Sequence, residues 1–253
     1  MPIEFTAESL ARKALLASDK VMSQSSDQMP PSEESIYLSR FESPSEIRFP
    51  DVQRSFEAAR KLPLRQAWQT RPERDFQPGS VVAAWCPRNL HILAHLTDQD
   101  IVLAGGSSHT STLAVFDVFQ VYIDRPEEND YLEIHVTPDN QARAIRWTPD
   151  LFAQFRNGEI SIDEILLNDG SGLFSKTWVE EDDASWQVYL QIPIHFLSTS
   201  QKELEKDKSI RGTFCRFDAS PDSLTPILSS TSAFQTGPKF HESSDWHEFI
   251  LQV

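Results

Sequence analysis

Hydrophobic and polar residues alternate most regularly between Phe116 and Pro138, where the pattern predicts two β-strands joined by a turn-rich loop. Successive side chains of a strand point to opposite faces, so each of these strands has one apolar and one polar face. The apolar faces carry Phe119, Val121, Ile123, Leu132, Ile134 and Val136. The polar faces carry Gln120, Tyr122, Glu133 and His135. Amide, phenol, carboxylate and imidazole groups together could form hydrogen bonds with a ligand rich in hydroxyl groups.

Short runs with the same strand character follow along most of the chain, broken by Gly, Pro, Asn and Asp. These runs lie at residues 81–85, 90–97, 143–148, 173–179, 185–192, 212–218, 226–230 and 246–253. Many short strands separated by turn residues predict an all-β fold, either a sandwich or a barrel. Short helical segments are predicted at residues 51–61, 149–156 and 162–167.

The N-terminal part of the chain differs in character from the rest. Residues 6–17 place apolar side chains on one helical stripe after Thr6, which suits a helix N-cap, so a short helix is predicted. Residues 23–35 are polar and contain two consecutive prolines, which is typical of an exposed linker. We therefore expect an N-terminal helix and linker at residues 1–35 and one β domain at residues 36–253.

The charge of the chain narrows the range of partners. Its 253 residues include 23 Lys and Arg against 38 Asp and Glu, a formal net charge of -15. Such a charge repels phosphate backbones and anionic lipid, and acidic residues interrupt the basic stretch at residues 54–74. Neither nucleic acid nor a membrane is therefore expected as a partner. No apolar run approaches the length of a membrane span, and no export signal is recognisable, so the expected location is the cytoplasm.

Candidate metal ligands and catalytic residues are few. Cys86 and Cys215 are far apart in the sequence and are expected to be free, buried thiols. His91 and His95 would share one face of a strand at about 13 Å, too far apart to bind one ion. The acidic run at residues 180–183 lacks the ligand order of a calcium loop, and no serine has the sequence context of a nucleophile. The protein is therefore expected to be noncatalytic and to need no cofactor.

The order of several short motifs resembles that of the family 9 carbohydrate-binding modules and their DOMON-like relatives. These motifs are residues 81–85 (VVAAW), 90–98 (LHILAHLTD), 117–123 (DVFQVYI), 131–138, 178–186, 212–218, 240–241 and 246–251. Each motif is weak alone, so their order over residues 60–253 carries the resemblance. The resemblance implies an antiparallel β-sandwich of jelly-roll or immunoglobulin-like type that binds sugars on a concave face, with structural calcium in some members.

The resemblance also implies which residues bind the sugar. Gln120 stands where the family usually has an acidic residue, and His135 falls on the hydrogen-bonding position of the next strand. Phe240 corresponds to one of two aromatic rings that clamp the sugar, while the second ring maps near Ala114. Candidates to replace that second ring are His109 and Trp85. The expected ligand-binding residues are Gln120, Tyr122, His135, Arg216, Phe240, His241 and His109.

Two functional hypotheses follow from these residues. The first is noncatalytic binding of a mono- or oligosaccharide, with Phe240 as the stacking platform and an exposed His135 beside Gln120. The alternative is a DOMON-like protein that binds a partner chain, a small ligand or a cofactor on the same face, which the missing second ring favours. A plainer interpretation is that the polar face is the solvated side of an antiparallel sheet. Three tryptophans are expected in the core, namely Trp85, Trp186 and Trp246.

Overall fold

The computed structural model describes residues 35–105, 116–124, 129–167, 172–197 and 209–252. The strands are β1 (Ile36–Arg40), β2 (Leu62–Pro63), β3 (Gly79–Cys86), β4 (Asn89–Thr97), β5 (Val118–Asp124), β6 (Tyr131–Val136), β7 (Ala142–Trp147), β8 (Phe174–Glu180), β9 (Ser185–Pro193), β10 (Ser209–Ser220), β11 (Ser223–Ser230) and β12 (His247–Leu251). The helices are α1 (Phe49–Arg54), α2 (Pro149–Asn157) and α3 (Ile194–Leu197), with 3-10 turns at Ile162–Glu164, Glu181–Asp183 and Ser243–Asp245. The all-β prediction is confirmed. The predicted helix at residues 6–17 lies outside the described residues.

The described strands form one continuous hydrogen-bonded sheet in the order β7-β6-β5-β10-β12-β1-β3-β4-β9-β8. Strand β11 pairs with β10, and β2 pairs with β3. Neighbouring strands are antiparallel except at β1, where Ile36 pairs in parallel with Phe249 and Arg40 pairs in parallel with Trp85. The expectation of a wholly antiparallel fold is therefore wrong at β1. The division of the strands into the two separate sheets of a sandwich stays a prediction.

The two ends of this sheet approach each other at the turn between β6 and β7. Thr177 of β8 donates a hydrogen bond from Oγ1 to the Pro138 carbonyl at 2.8 Å, and Asn140 Nδ2 donates to the Ser175 carbonyl at 3.4 Å. Asn140 has a φ of 61°, in the left-handed region that Asn tolerates better than most residues. The sheet is consequently nearly closed.

The main hydrophobic core lies inside the nearly closed sheet. The apolar faces of β5 and β6 are buried in it as predicted, together with Trp85 of β3 and Trp186 of β9. Trp186 Nε1 donates to Asp98 Oδ2 at 3.1 Å, and Trp85 Nε1 donates to the Gln252 carbonyl at 2.9 Å. Both indoles therefore satisfy their polar atom while the rings fill the core. The prediction that these two tryptophans are packed is confirmed.

Helix α2 follows strand β7 and is defined by local sequence signals. The Thr148 side chain accepts a hydrogen bond from a backbone N–H of the first turn, Pro149 occupies that turn, and Gly158 ends the helix with a φ of 78°. Phe155 packs against Trp147 with 5.4 Å between ring centroids. The helix predicted after β7 is thus confirmed. Among the described residues, no helix is long and apolar enough to span a membrane.

Candidate functional site

The polar face of β5 and β6 forms in the register that the alternation predicts. Gln120 lies opposite His135, and Tyr122 lies opposite Glu133. All four side chains are nevertheless buried, with exposed fractions of 2–4 %. The register prediction is confirmed, whereas the prediction that His135 is exposed is wrong.

An aromatic layer covers the polar face and explains this burial. The layer consists of Phe217, Phe234, Phe240 and Trp246, packed with Val118, Tyr122 and Cys215. The Phe240 ring is 3 % exposed, and its centroid lies 5.8 Å from that of Phe234 and 6.2 Å from that of Trp68. Trp246, buried as expected, donates a hydrogen bond from Nε1 to the Phe240 carbonyl at 2.9 Å. Because Phe240 is enclosed on several sides, its prediction as an open stacking platform is wrong.

Arg216 lies on the opposite face of the sheet from the polar face of β5 and β6. It pairs across β10 and β5 with Phe119, a core residue, whereas its neighbour Cys215 pairs with Gln120. Residues directly opposite each other share a face, so Arg216 points away from the polar face. The prediction that it binds ligand beside Gln120 and His135 is therefore wrong.

The remaining predicted residues have mixed outcomes. His109 lies outside the described residues. Trp85, the alternative second ring, is buried in the main core and offers no stacking surface. Tyr122 belongs to the polar face but is covered by the aromatic layer. His241 is partly exposed and lines a pocket.

The four polar side chains of β5 and β6 join Trp147 of β7 in one buried polar network. Glu133 Oε1 lies 2.6 Å from His135 Nε2 and accepts a hydrogen bond from the Tyr122 hydroxyl at 3.0 Å. The other Glu133 oxygen accepts from Trp147 Nε1. Gln120 lies between its neighbours, with its amide 3.1 Å from His135 Nε2 and 3.3 Å from the Tyr122 hydroxyl. Each of these buried polar groups therefore has a partner, as burial requires.

Glu133 is the charged centre of the buried polar network. Burial alone would raise the pKa of its carboxyl, but the charges of His135 and His241 and the hydrogen bonds from His135 and Trp147 bring that pKa down to about 2. Burial, together with the Glu133 charge, raises the pKa of Tyr122 well above its ordinary value. Glu133 is therefore anionic at neutral pH, and Tyr122 keeps its proton.

The ionised carboxylate fixes the protons around it. Because an ionised carboxylate only accepts hydrogen bonds, His135 Nε2 carries the proton that it shares with Glu133. A protonated nitrogen cannot accept from the Gln120 amide nitrogen, so we assign the amide oxygen to the side of His135. The amide nitrogen then donates to the Tyr122 hydroxyl, which in turn donates to Glu133. The buried polar network is thus satisfied in one arrangement of protons, which supports a rigid face.

A pocket of about 220 Å³ opens beside the buried polar network. Its walls include three partly exposed rings, those of Tyr131, Phe152 and His241. The Tyr131 hydroxyl lies 2.7 Å from His241 Nδ1, and the centroid of the His241 ring lies 5.0 Å from that of Phe152. On another wall Arg211 binds Asp124 through two hydrogen bonds of 3.0 and 2.6 Å. Flat rings and directional polar groups are therefore combined in one small concavity.

His241 also connects this pocket to the buried polar network. Its ring centroid lies 5.1 Å from that of Tyr122, in an edge-on arrangement, and 6.2 Å from that of Trp147. The charge of His241 also helps to lower the pKa of Glu133. His241 therefore lies between the pocket and the buried polar network.

Sequence reasoning found His241 but missed the other side chains that make the pocket. Arg211 and Asp124 face each other across β10 and β5, a pairing that no local sequence pattern reveals. Phe152 lies on helix α2, whose start is marked by Thr148 and Pro149, so the sequence predicts that Phe152 is helical. The sequence does not show which residues of other elements lie beside it.

An acidic cluster, defined by Asp98, Asp117 and Asp218, surrounds Arg216 on the other face of the sheet. The ligand atoms of these carboxylates lie within 4.8 Å of one another, the one such grouping of three metal-ligating side chains in the described part of the chain. Arg216 Nη2 lies 2.9 Å from Asp98 and 2.7 Å from Asp218, and Nη1 donates to the Thr97 carbonyl at 2.6 Å. Ca²⁺ needs roughly six to eight oxygen ligands. The cluster fits an internal guanidinium better than calcium, since that guanidinium already lies between two carboxylates.

Burial makes the carboxyls of the acidic cluster hard to ionise. Burial, with the charge of Asp98, raises the pKa of Asp117 to about 8 against the opposing effect of two backbone N–H bonds and Arg216. Burial likewise raises the pKa of Asp218 to about 7, although Arg216 lowers it in part. The pKa of Asp98 is also raised, chiefly by burial. Arg216 is thus surrounded by carboxyls that hold protons near neutral pH.

These raised pKa values predict how stability changes with pH. A carboxyl whose pKa is higher in the folded state contributes stability that is complete below its unfolded pKa of about 3.9 and is lost as the pH rises through the folded value. We expect the melting temperature to fall as the pH rises from about 4 to about 7 to 8, and to level off above that range. Asp218→Asn should make this decline shallower, because the amide stays neutral and can still accept from Arg216. Thermal unfolding followed by circular dichroism over a pH series measures the slope, with exposed Asp222→Asn as the matched control. An unchanged slope in Asp218→Asn would contradict the assignment.

Comparison with known proteins identifies the fold. No protein-family model matches the sequence, and no curated protein matches it either. A protein from Bacteroides uniformis that has been provisionally assigned to carbohydrate binding has a similar structure, with a TM-score of 0.66 and 11 % identity over 87 % of this chain and 99 % of that chain. A family 9 carbohydrate-binding module from Caldicellulosiruptor kristjanssonii in complex with cellotriose gives a TM-score of 0.57 at 15 % identity, over 87 % of this chain and 94 % of that chain. The same kind of module in complex with glucose gives 0.55 at 15 % identity, over 87 % and 96 %.

The protein therefore has the fold of the family 9 carbohydrate-binding modules, as the order of its sequence motifs indicated. At this level of identity the likeness concerns the fold, and the function has to be argued from the site.

Proposed function

We propose that this protein is a noncatalytic carbohydrate-binding module that holds one sugar ring in the pocket beside the buried polar network. The observation that carries the proposal is the combination of partly exposed rings, those of Tyr131, Phe152 and His241, with the paired Asp124 and Arg211 in one concavity. Sugar recognition needs apolar surface for the C–H face of the ring and a few directed polar groups for its hydroxyls. The pocket supplies both.

The size of the pocket limits the ligand to a small group. Its volume of about 220 Å³ is below the roughly 300–1,000 Å³ that is typical of sites for drug-sized ligands. One monosaccharide, or the terminal residue of an oligosaccharide, is the unit that suits this volume. We therefore expect recognition of a chain end, with any further sugar rings outside the pocket.

The charges around the pocket favour a neutral sugar. Asp124 is bound by Arg211, and Asp130 is bound by Arg146 at 3.1 Å, so each carboxylate has an arginine beside it. Both carboxylates are engaged by an arginine, which supports a noncatalytic role. The neighbouring structures support the same proposal, since those modules were seen with cellotriose and with glucose.

Calorimetric titration with glucose, cellotriose and a broad oligosaccharide panel tests the proposal. Phe152→Ala should weaken binding by about 10- to 150-fold, because a ring of this size contributes about 1.5–3 kcal/mol when it is covered. The matched control is Phe174→Ala, since Phe174 is 40 % exposed on β8 and does not line the pocket. Absence of binding across the panel, or an equal loss in both variants, would reject the proposal.

The covered polar face favours one alternative, a DOMON-like interaction or small-ligand protein that uses the same region. Gln120 and His135 lie under the aromatic layer rather than on an open surface. A face closed in this way suits an apolar ligand or a partner chain better than a long glycan. Size-exclusion chromatography with light scattering distinguishes the two: a stable dimer that Phe152→Ala dissociates, without saccharide binding, would support the alternative.

A further inference from the structure

A second concavity, called here the hairpin pocket, shares no residue with the proposed sugar pocket. Its volume is about 850 Å³, within the roughly 300–1,000 Å³ that is typical of sites for small ligands. Its walls come from residues 73–77 before β3, residues 99–100 after β4, and the β10–β11 hairpin between residues 218 and 227. These segments are distant in the sequence, so the pocket exists only in the folded protein.

The walls of the hairpin pocket carry far more negative than positive charge. All three segments contribute carboxylates, against one arginine, Arg74. The carboxylates belong to Glu73, Asp75, Asp100, Asp218 and Asp222. Phe76 and Ile227 add apolar surface to the same walls. Because a cleft lined by one sign of charge concentrates ligands of the opposite sign, the hairpin pocket favours a ligand with positive charges and a hydrocarbon part.

Asp218 brings a buried carboxylate with an unpartnered oxygen to this wall. Its side chain is 5 % exposed, and Oδ1 accepts a hydrogen bond from Arg216 at 2.7 Å. No described residue donates a hydrogen bond to Oδ2. Asp218 is also the one member of the acidic cluster that lines the hairpin pocket. An oxygen of a buried carboxylate without a donor is unfavourable, and an ammonium group in the pocket would supply that donor.

Hydrogen bonds join two of the three wall segments. Gln77 Nε2 donates to Asp100 Oδ1 at 3.3 Å, and the backbone N–H of Gln99 donates to Gln77 Oε1 at 2.8 Å. The backbone N–H of Asp100 donates to Asp98 Oδ1 at 3.2 Å. The wall that carries Asp100 is therefore formed before any ligand enters, so binding requires little further ordering there.

The spread of the carboxylates distinguishes between a metal ion and a larger cation. A metal ion needs several oxygens that converge on one point at about 2.0–2.6 Å. In the described part of the chain, the one close grouping of three metal-ligating side chains is the acidic cluster, and of its members only Asp218 reaches the hairpin pocket. The other carboxylates of the pocket are therefore dispersed around its walls. This dispersion suits positive charges that are separated along one molecule.

We propose that the hairpin pocket binds a linear polyamine, with ammonium groups at the dispersed carboxylates and the methylene chain against Phe76 and Ile227. Each ammonium group donates up to three hydrogen bonds, and one of them would satisfy Asp218 Oδ2. Methylene groups gain from contact with the apolar part of the walls. This site is separate from the sugar pocket and does not depend on the function proposed for it.

Calorimetric titration of the full chain with spermidine tests the proposal. We expect saturable binding at a single site. 1,4-Diaminobutane, which has fewer charges, should bind more weakly, and 1,4-butanediol, which has the same chain length without charge, should not bind. No binding of spermidine, or equal binding of the diol and the diamine, would overturn the proposal. Displacement of spermidine by an equimolar amount of Ca²⁺ would also overturn it, in favour of a metal site.

Substitutions in the walls locate the binding site. Asp100→Asn and Asp218→Asn each remove one negative charge but keep an oxygen acceptor, so each should weaken spermidine binding by about fivefold. Asp183→Asn is the matched control, because Asp183 is exposed and does not line the pocket. If Asp218→Asn does not fold, Asp100→Asn provides the comparison with the control. An equal loss in the control would show that the net charge of -15 alone attracts spermidine, and would overturn the assigned site.

Discussion

Replacing Arg216 with Met should lower the free energy of unfolding by about 3–5 kcal/mol at about pH 8, where the carboxyls around it lose their protons, because removing one member of a buried ionic group leaves the others without a counter-charge. The Arg216 side chain has no exposed surface and binds Asp98, Asp218 and the Thr97 carbonyl. Methionine fills much of the space of the arginine stem, so the change tests the charge more than the packing. Urea denaturation followed by tryptophan fluorescence measures the loss.

A surface arginine provides the control for this variant. Arg54 binds Asp51 at 3.2 Å but its side chain is 67 % exposed, so Arg54→Met should change stability by less than about 1 kcal/mol. The loss in Arg216→Met should also become smaller at about pH 5 than at about pH 8, because protonated carboxyls need no cation beside them. A small loss at about pH 8, or a loss independent of pH, would contradict the role assigned to Arg216.

Replacing Glu133 with Ala should cost a similar amount, about 3–5 kcal/mol, because it removes the acceptor on which the buried polar network converges. Tyr122, His135 and Trp147 would each lose a partner while remaining buried. Equilibrium unfolding in urea at neutral pH measures this loss. Glu248→Ala is the matched control, because Glu248 is exposed on strand β12 and its side chain accepts a hydrogen bond from partly exposed Ser35.

The decrease in the free energy of unfolding at low pH, called here the acid limb, gives a second test of the role of Glu133. Its folded pKa of about 2 lies below the unfolded value of about 4.3, so it contributes roughly 3 kcal/mol that is present above the unfolded value and lost as the pH falls through about 2. Glu133→Gln should remove that part of the acid dependence. An acid limb identical to that of the unmodified protein would show that Glu133 is not the group that titrates.

The local alternation in β5 and β6 was sufficient to predict both register and faces. Leu132, Ile134 and Val136 are buried in the main core, and Gln120 lies opposite His135 as expected. A period of two is reliable here because every second residue must enter the same core. The short strand β1 and the two-residue β2 were missed, since they are too short to show a period.

The sequence could not predict that the polar face of β5 and β6 is covered by the aromatic layer. The segment that carries Phe234 and Phe240 has no regular secondary structure, so no periodic pattern indicates that it folds back over β5 and β6. Arg216 shows a related limit. The family resemblance assigned it to the ligand, whereas the structure places it opposite Phe119, a residue of the main core.

Strand β1 has a further consequence, for the order in which the chain can fold. It joins β3 on one side to β12 on the other, and its partner Phe249 lies more than two hundred residues after Ile36. Pairing of such distant segments requires closure of a long loop. The chain loses this conformational entropy before the paired strands form stabilising contacts, which slows folding. During synthesis, β1 and β10 therefore each have an unpaired edge until β12 has been made, and an unpaired strand edge can pair with another chain and lead to aggregation.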